Sequence, residues 1–402
     1  MTTWISKIVG SGNCLGCGLC SSMAGHDAVA MEMGPGGFPA PRELRAGGDQ
    51  AWLRDLCPGI TVRRANHLRG GEKTYGPFRA LKTAHATDPD IRRKASSGGC
   101  ITALLVYLLE QSLADGVLHA GKADGEPLRT TARISRTREE VVGCAGSRYA
   151  PCSLLENLDE DLREGGRLAI VGKPCDIAAV RAYLSARPNR STNVACLLSF
   201  ACMGMPSINA THRLVQAMGA READIRDFWY RGNGWPGSAT VVGADGCRKE
   251  MSYEQSWGRI LSKEVKMRCR LCPDGFGEFA DISCGDAWHS EGGRPVFDER
   301  PGRSLVFIRS AKGQELFESA QRHGYLESEA FSEEELPIIQ PSQHQRKLYA
   351  GVRLLAAKAA GDRLLDFSGF PICADMSKAR LTTAAKNFVG TFRRMRKARR
   401  VP

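Results

Sequence analysis

An α/β core, α+β overall once its flanking segments are counted, is predicted from three observations. Between Phe78 and Met218 short apolar runs alternate with helical patterns, the βα signature of a largely parallel sheet. The chain has 402 residues, 42% apolar and 25% charged, which is room for more than one core. No internal repeat interrupts the alternation. Taken in order, residues 1–65 are rich in Gly and Cys, with Gly34–Pro41 as a rigid loop. Leu81–Ala86 reads as a strand and Ile101–Gln111 as a helix that is apolar on most faces. Leu168–Val171 is a short buried strand, followed by a helix through Ala178–Leu184. Asn193–Phe200 is a further strand and Ser207–Met218 a further helix. Arg346–Arg363 and Lys378–Arg400 read as helices outside the main core. The segments expected are 1–70, 77–165, 166–330 and 340–402.

The charge is uneven. The chain carries 56 Lys and Arg against 44 Asp and Glu, a formal +12. Nine of those cations lie in 378–402, which holds no acid, so the body is left at +3. A nearly balanced body argues against a nucleic-acid groove across the fold. In the tail, Phe388, Phe392 and Met395 stand at helical spacing. The pattern fits a solvated terminal helix, or contact with an anionic membrane surface or an acidic partner. The longest apolar run is about ten residues around Ile101–Leu109, against roughly 20 for a membrane span. The N-terminus shows no secretory signal. A membrane channel, a secreted disulfide mini-protein and a disordered chain are excluded, and a cytoplasmic location is expected.

Fifteen cysteines without an export signal are the main anomaly of composition. Thiols in a reducing compartment point to metal ligation or redox chemistry rather than a disulfide framework. Cys14-Leu-Gly-Cys17-Gly-Leu-Cys20 sets three thiolates at a spacing that can wrap one face of a cubane, each on a different iron. Gly16 and Gly18 allow positive φ and let amides point at sulfur. Cys57-Pro58 is the natural fourth ligand, because Cys-Pro also ends the bacterial ferredoxin run. Here 36 residues precede it rather than three. Zinc prefers two separated pairs, so the run of three favours [4Fe–4S].

Cys269-Arg-Leu-Cys272 alone is ambiguous between zinc, iron–sulfur and a redox dithiol. Cys175 lies at a strand-to-helix turn, where helix amides stabilise a thiolate, and Cys202 just follows the strand Asn193–Phe200. Parallel strands would bring both to one crevice. Cys175, Cys202, Cys269 and Cys272 therefore form a second candidate quartet, with buried structural Cys as the alternative for the two singletons. Of the remaining seven (Cys100, Cys144, Cys152, Cys196, Cys247, Cys284, Cys373), most read as small buried hydrophobes.

The loop Lys94-Ala-Ser-Ser-Gly-Gly-Cys100 precedes an apolar helix, and its free amides suit a phosphate or pyrophosphate. An ordinary Ser N-cap is the equal alternative. Gly232-Asn-Gly-Trp-Pro-Gly237 matches G-x-G-x-x-G in form only. That fingerprint must open a helix, whereas Trp-Pro and the strand-like Ser238–Gly243 follow here. It reads as a turn between strands. His289 reads as an ordinary surface or core His.

With these residues in hand, the chain resembles the coenzyme F420 hydrogenase/dehydrogenase β-subunit family, to which 7-hydroxymethyl chlorophyll a reductase is similar. The resemblance runs from about Asn13 to Leu326. It rests on Cys14–Cys20 with Cys57-Pro-Gly, Ala95–Gly99, Ser147–Pro151, Gly172–Ile177, Phe200–Pro206 and the long stretch Cys269–Asp286. It implies FAD and two [4Fe–4S] clusters, with a ferredoxin-like domain over 1–70 and a flavin-binding core in two parts over 77–165 and 166–330, while the helical basic extension over 340–402 lies outside it. It implies FAD contacts from Ser96, Ser97, Gly98 and Gly99, joined by Gly285 and Asp286. It makes Cys175, Cys202, Cys269 and Cys272 ligands of the cluster nearest the flavin. Cys14, Cys17, Cys20 and Cys57 would hold an outer cluster that meets the redox partner. Two positions depart from the pattern: Asp176 stands where Gln is expected, and Cys152 where Ser is usual. A carboxylate beside a cluster disfavours its reduction, which adds negative charge.

The function expected is an iron–sulfur flavoprotein oxidoreductase. Its clusters would pass single electrons, and FAD would exchange hydride with F420 or another two-electron small molecule. The partner would be ferredoxin-like or a catalytic subunit. The alternatives are a non-catalytic electron-transfer subunit of a larger complex and a zinc scaffold.

Overall fold

A computed structural model describes residues 3–45, 48–64, 74–362 and 364–398. Part of the expected first segment (residues 65–70), Arg363, and Arg399 and Arg400 of the basic tail lie outside the described residues.

The centre is one eight-stranded mixed sheet. Its order is Leu326–Ala330, Ala80–Ala86, Ser304–Ile308, Ile282–Asp286, Val194–Phe200, Leu168–Gly172, Gly116–Ala123, Glu126–Ser135. The four strands from Ile282–Asp286 to Gly116–Ala123 run parallel, and the outer ones pair antiparallel. All five residues of Leu168–Gly172 are buried, as expected of a strand covered on both faces. Alternation sorts the side chains. Ala169, Val171, Cys196 and Leu198 face the helices Cys100–Glu110 and Ala311–Arg322. Leu168, Ile170 and Leu197 face the helix Pro174–Ala186 through Ile177, Val180 and Tyr183. The result is a three-layer core whose parallel strands end at a common edge, at Ala123, Gly172, Phe200 and Asp286.

Two smaller units attach. Residues 3–45 and 48–64 form short helices and the antiparallel hairpin Val29–Met33 with Pro39–Glu43. A three-stranded sheet of Ile225–Trp229, Ser238–Gly243 and Arg248–Ser252 packs beside the outer strand Glu126–Ser135. The sequence Gly232–Gly237 is the turn between its first two strands, as its Trp-Pro foretold.

The C-terminal helices were expected outside the main core, and they are not. Pro341–Ala359 buries Gln343, Arg346, Lys347 and Ala356, and packs on the short helix Met267–Leu271. Leu381–Ala398 closes over both, with Met395 and Phe392 against Leu271, Ala357 and Ala360. Two residues of the tail's apolar stripe are thus covered by protein, while Leu381 and Val389 of the same helix stay exposed. Backbone bonds from Val62 to Asp366 and from Arg64 to Ser368 tie this extension to the N-terminal segment. Among the described residues no helix is long and apolar enough to cross a membrane.

Candidate functional site

The first sulfur set forms around a tight loop. Gly16 and Gly18 have φ of +66° and +89°, in the left-handed region glycine favours. A Cβ on Gly16 would stand 2.5 Å from the Pro39 carbonyl oxygen, so the loop is pressed against the hairpin. Gly16 N–H donates to Cys14 Sγ at 3.4 Å, the amide-to-sulfur geometry its position suggested. Cys57 arrives at the end of the helix Leu53–Leu56. Cys14, Cys17, Cys20 and Cys57 all line one small cavity, otherwise walled largely by apolar groups such as Ile5, Ile8 and Leu53. Burial, then the facing sulfurs, raises the Cys17 and Cys20 thiols and pushes Cys57 up to about 12. Four such thiols do not ionise together unless a cation compensates them. Among the described residues no three His, Cys, Asp or Glu side chains converge tightly enough to share one ion. The sulfurs instead stand around a space, which is the donor set a cubane needs.

The second set gathers at the strand edge. Cys175 opens the helix Pro174–Ala186, Cys202 follows the strand Val194–Phe200, and Cys269 and Cys272 lie on and just after Met267–Leu271. Gly204 N–H donates to Cys202 Sγ at 3.4 Å. Burial pushes Cys202 up to about 12, with Cys269 adding to it and Arg346 opposing. Cys175 is raised by burial, by Asp176, and by Cys202 and Cys269. The four residues that sequence grouped are thus neighbours.

The two sets face each other. Leu15 packs with Met205 and Cys269, and with Phe38 and Cys175 beside them. Lys266 Nζ donates to the Cys14 carbonyl at 2.5 Å, and Arg268 Nη2 to the Pro58 carbonyl at 2.6 Å. Asp176 lies between Cys17 and Cys175, raising both thiols. It is fully buried, but Lys173 Nζ pairs with it at 2.6 Å. The carboxylate expected to oppose reduction is therefore largely neutralised by its own i−3 neighbour.

Cys202 also borders a cleft of about 310 Å³ at the ends of the parallel strands, with Gly172, Phe200 and Gly285 at its edge. Such an edge is where open α/β sheets bind ligands. The loop before Cys100–Glu110 forms one side. Ser96 Oγ is buried there without a partner. Ser97 Oγ is spent on the Gly285 and Arg303 carbonyls at 3.2 and 2.9 Å. Gly98 is sealed behind the loop, its N–H on Ser304 Oγ at 2.9 Å, and a Cβ there would meet Ala84 O at 2.5 Å. Of the four loop residues, Ser96, Ser97 and Gly99 reach the cleft, whereas Gly98 buttresses it. Asp286 holds Arg231 through Nη1 and Nη2 and accepts from Trp235 Nε1. An unpartnered hydroxyl at the start of a helix, beside an aromatic-walled cleft, fits a large phosphorylated cofactor.

Sequence reading missed Arg231, Tyr149, Trp257 and Lys173, which also line this cleft. Tyr149 and Lys173 lay in stretches that carried the resemblance, Ser147–Pro151 and Gly172–Ile177, without being singled out. His289 sits in the strand His289–Glu291, outside the residues lining the cleft. Cys100, Cys152, Cys196 and Cys284 are buried as expected. Cys144 is half-buried, and Cys247 and Cys373 are exposed.

Two family models match the chain. The one described as coenzyme F420 hydrogenase/dehydrogenase, beta subunit N-term, covers residues 81–159, and its C-terminus counterpart covers 165–334. The coenzyme F420 hydrogenase subunit beta of Methanococcus voltae is 27% identical over 285 residues, covering 68% of this chain and 92% of that protein. The F420-dependent formate dehydrogenase 1 subunit beta of Methanococcus maripaludis is 25% identical, covering 61% of this chain and 60% of that one. A chain of the F420-reducing [NiFe] hydrogenase complex from Methanosarcina barkeri shares the fold with a TM-score of 0.56. It is 23% identical, and the match covers 73% of this chain and 97% of that one.

Proposed function

The chain belongs to the coenzyme F420 hydrogenase/dehydrogenase β-subunit family, and from that premise we propose an iron–sulfur flavoprotein that passes electrons between a redox partner and a two-electron small molecule, with F420 as the candidate. The observation that carries this reading is the series order of three sites. A sulfur set in the N-terminal segment faces a second set across Leu15, and the second borders the cleft. When bound, [4Fe–4S] clusters would supply one-electron steps and FAD the conversion to hydride.

The residues of this chain divide the work. Cys14, Cys17, Cys20 and Cys57 would hold the outer cluster, and Cys175, Cys202, Cys269 and Cys272 the inner one. Gly16 and Gly204 offer amides to the sulfurs, which favours the thiolate form. Ser96 Oγ and the loop amides, with Gly99, would receive the cofactor phosphates, while Ser97 and Gly98 fix the loop. The Arg231–Asp286 pair holds the opposite wall and keeps water from the strand edge. Val9, Met33 and Leu44 are exposed apolar residues on the N-terminal segment, suited to a partner's surface.

Iron, zinc and flavin analysis of anaerobically purified protein tests the reading. About eight irons and one flavin per chain are expected. Zinc without flavin would end it. A second reading, an electron-transfer subunit with no substrate of its own, is favoured by relatives named as subunits. Unaided reduction of a deazaflavin by the isolated chain would exclude it.

A further inference from the structure

Several buried charges in this protein are paired, although Arg309 donates only to three carbonyls and the Ser283 hydroxyl. Arg64 and Lys347 share Glu278, Arg231 has Asp286, and Lys173 has Asp176. Beside the second sulfur set such pairing is missing. Arg346 is 6% exposed, and its Nη1 and Nη2 donate to the carbonyls of Cys269 and Met203 at 3.1 and 2.7 Å. Arg268 is 1% exposed and spends only Nη2, on Pro58. Arg346 Nε and Arg268 Nε and Nη1 have no partner at all. Arg353, seven residues along the helix from Arg346, donates to the Arg270 carbonyl and to Asn387. Among the described residues none of these three guanidiniums has a carboxylate partner. The nearby Asp274 carboxylate accepts the amide of Glu278. Neutral carbonyls do not balance a buried cation, so a fold that buries Arg346 and Arg268 here, with half-buried Arg353 behind them, is best balanced by a negative charge from elsewhere.

Four ionised cysteines around iron supply it. A [4Fe–4S] centre with four thiolates is net negative in both oxidation states, and more so when reduced. Arg346 and Arg268 both act on Cys272, and Arg346 acts on Cys202. Arg346 and Arg353 come from the helix Pro341–Ala359, which lies beyond the stretch, ending at residue 334, that the family model matches. Resting on the cluster assignment of the preceding section, we infer that this C-terminal extension is a potential-setting device. Arg346, with Arg353 behind it and Arg268 beside it, places fixed positive charge on the inner cluster and raises its reduction potential. These are positioning residues, since they touch the ligand-bearing backbone rather than the reacting atoms.

A redox titration of the anaerobic full-length chain, read by low-temperature electron paramagnetic resonance, tests this. Iron counts on wild type and Cys202→Ser come first. If the substitution removes no iron, the inner cluster itself is absent and the functional reading falls with the inference. With the cluster present, Arg346→Gln should shift its reduction equilibrium about tenfold toward the oxidised form, a potential lower by about 59 mV for one electron. Arg346→Lys should retain most of the wild-type value. Should Arg346→Gln lose the inner iron, Arg353→Gln decides, with a smaller shift of the same sign expected. A wild-type potential in the iron-replete glutamine variants overturns the inference.

Discussion

Replacing Asp286 by Asn should weaken the cleft wall by about 3 kcal/mol. Arg231 Nη1 and Nη2 donate to the two Asp286 oxygens at 2.9 and 2.7 Å, and Nε to the Pro236 carbonyl at 2.6 Å. Trp235 Nε1 adds a bond to the same carboxylate at 2.8 Å. The guanidinium also lies over the rings of Tyr253 and Trp288, at 4.6 and 5.0 Å. Burial alone would favour a neutral Arg231, and the Asp286 charge more than reverses this. Asn keeps the size of the side chain but removes the charge and one acceptor, so Arg231 stays buried without a counter-ion. Breaking a buried pair from one side costs about 3–5 kcal/mol. The Asp286 side chain keeps some contact with solvent, 17%, which sets the expectation at the lower end. Denaturant unfolding of the protein carrying the proposed flavin, followed by flavin fluorescence, would read the loss locally, because released flavin brightens. Arg231→Met combined with Asp286→Asn should recover part of it, as in any cycle that removes both charges. A midpoint for Asp286→Asn within about 0.5 kcal/mol of wild type would show that the pair does not hold the wall.

Three further outcomes are expected. Burial first, and then Arg133, holds His119 down to about 4, against 6.5 when unfolded. The unfolded chain therefore binds the proton first on acidification, and stability falls between about pH 6.5 and 4, by roughly 3 kcal/mol in all. His119→Gln should flatten that limb of the pH–stability curve, and an unchanged slope would count against the assignment. Gly98→Ala forces a Cβ to 2.5 Å from Ala84 O and 2.6 Å from Ser304 N, both backbone atoms. A cost of about 1–3 kcal/mol and weaker flavin retention are expected, with iron content unchanged. Cys57→Ser and Cys202→Ser should each remove about four irons, whereas Cys196→Ser, buried in the core, should remove none. Equal iron loss from Cys196→Ser would mean that the counts report unfolding.

The sheet and both sulfur sets were legible in the sequence because the signals were local. Leu168–Gly172 is covered on both faces and so reads as an unbroken apolar run. Cys175 and Cys202 stand just past the ends of adjacent parallel strands, and strand ends alone bring them together. The C-terminal helices were misplaced because amphipathic spacing states that a face is covered, not by what. Arg346 finds backbone carbonyls of Cys269 and Met203, partners with no side-chain signature. Arg231 meets its acid 55 residues away, across a turn whose glycines drew notice for another reason. The Lys173–Asp176 pair was readable as an i, i+3 contact at a helix start, and was missed because attention fell on the carboxylate alone.

On the proposed cluster assignment, the same packing would tie cluster loading to the folding of the N-terminal segment. Its own buried apolar core is Ile5, Ile8, Val29, Leu53 and Ile60, arranged beside the cavity that the four sulfurs share. So small a core does not repay the entropy of ordering its chain. The segment borrows from elsewhere: Asn13 donates to Asp362, and Val62 and Arg64 bond the backbone of Asp366 and Ser368. Those partners belong to the extension that also carries Arg346 toward the second set. Filling the first cavity with metal would add the stabilisation the small core lacks, since a site absent from the unfolded chain contributes its binding energy to folding. The N-terminal cysteines, the C-terminal helices and the inner sulfur set are therefore linked by direct contacts. A defect in either sulfur set should be felt at the other through Leu15, Arg268 and the extension before it is felt in the sheet.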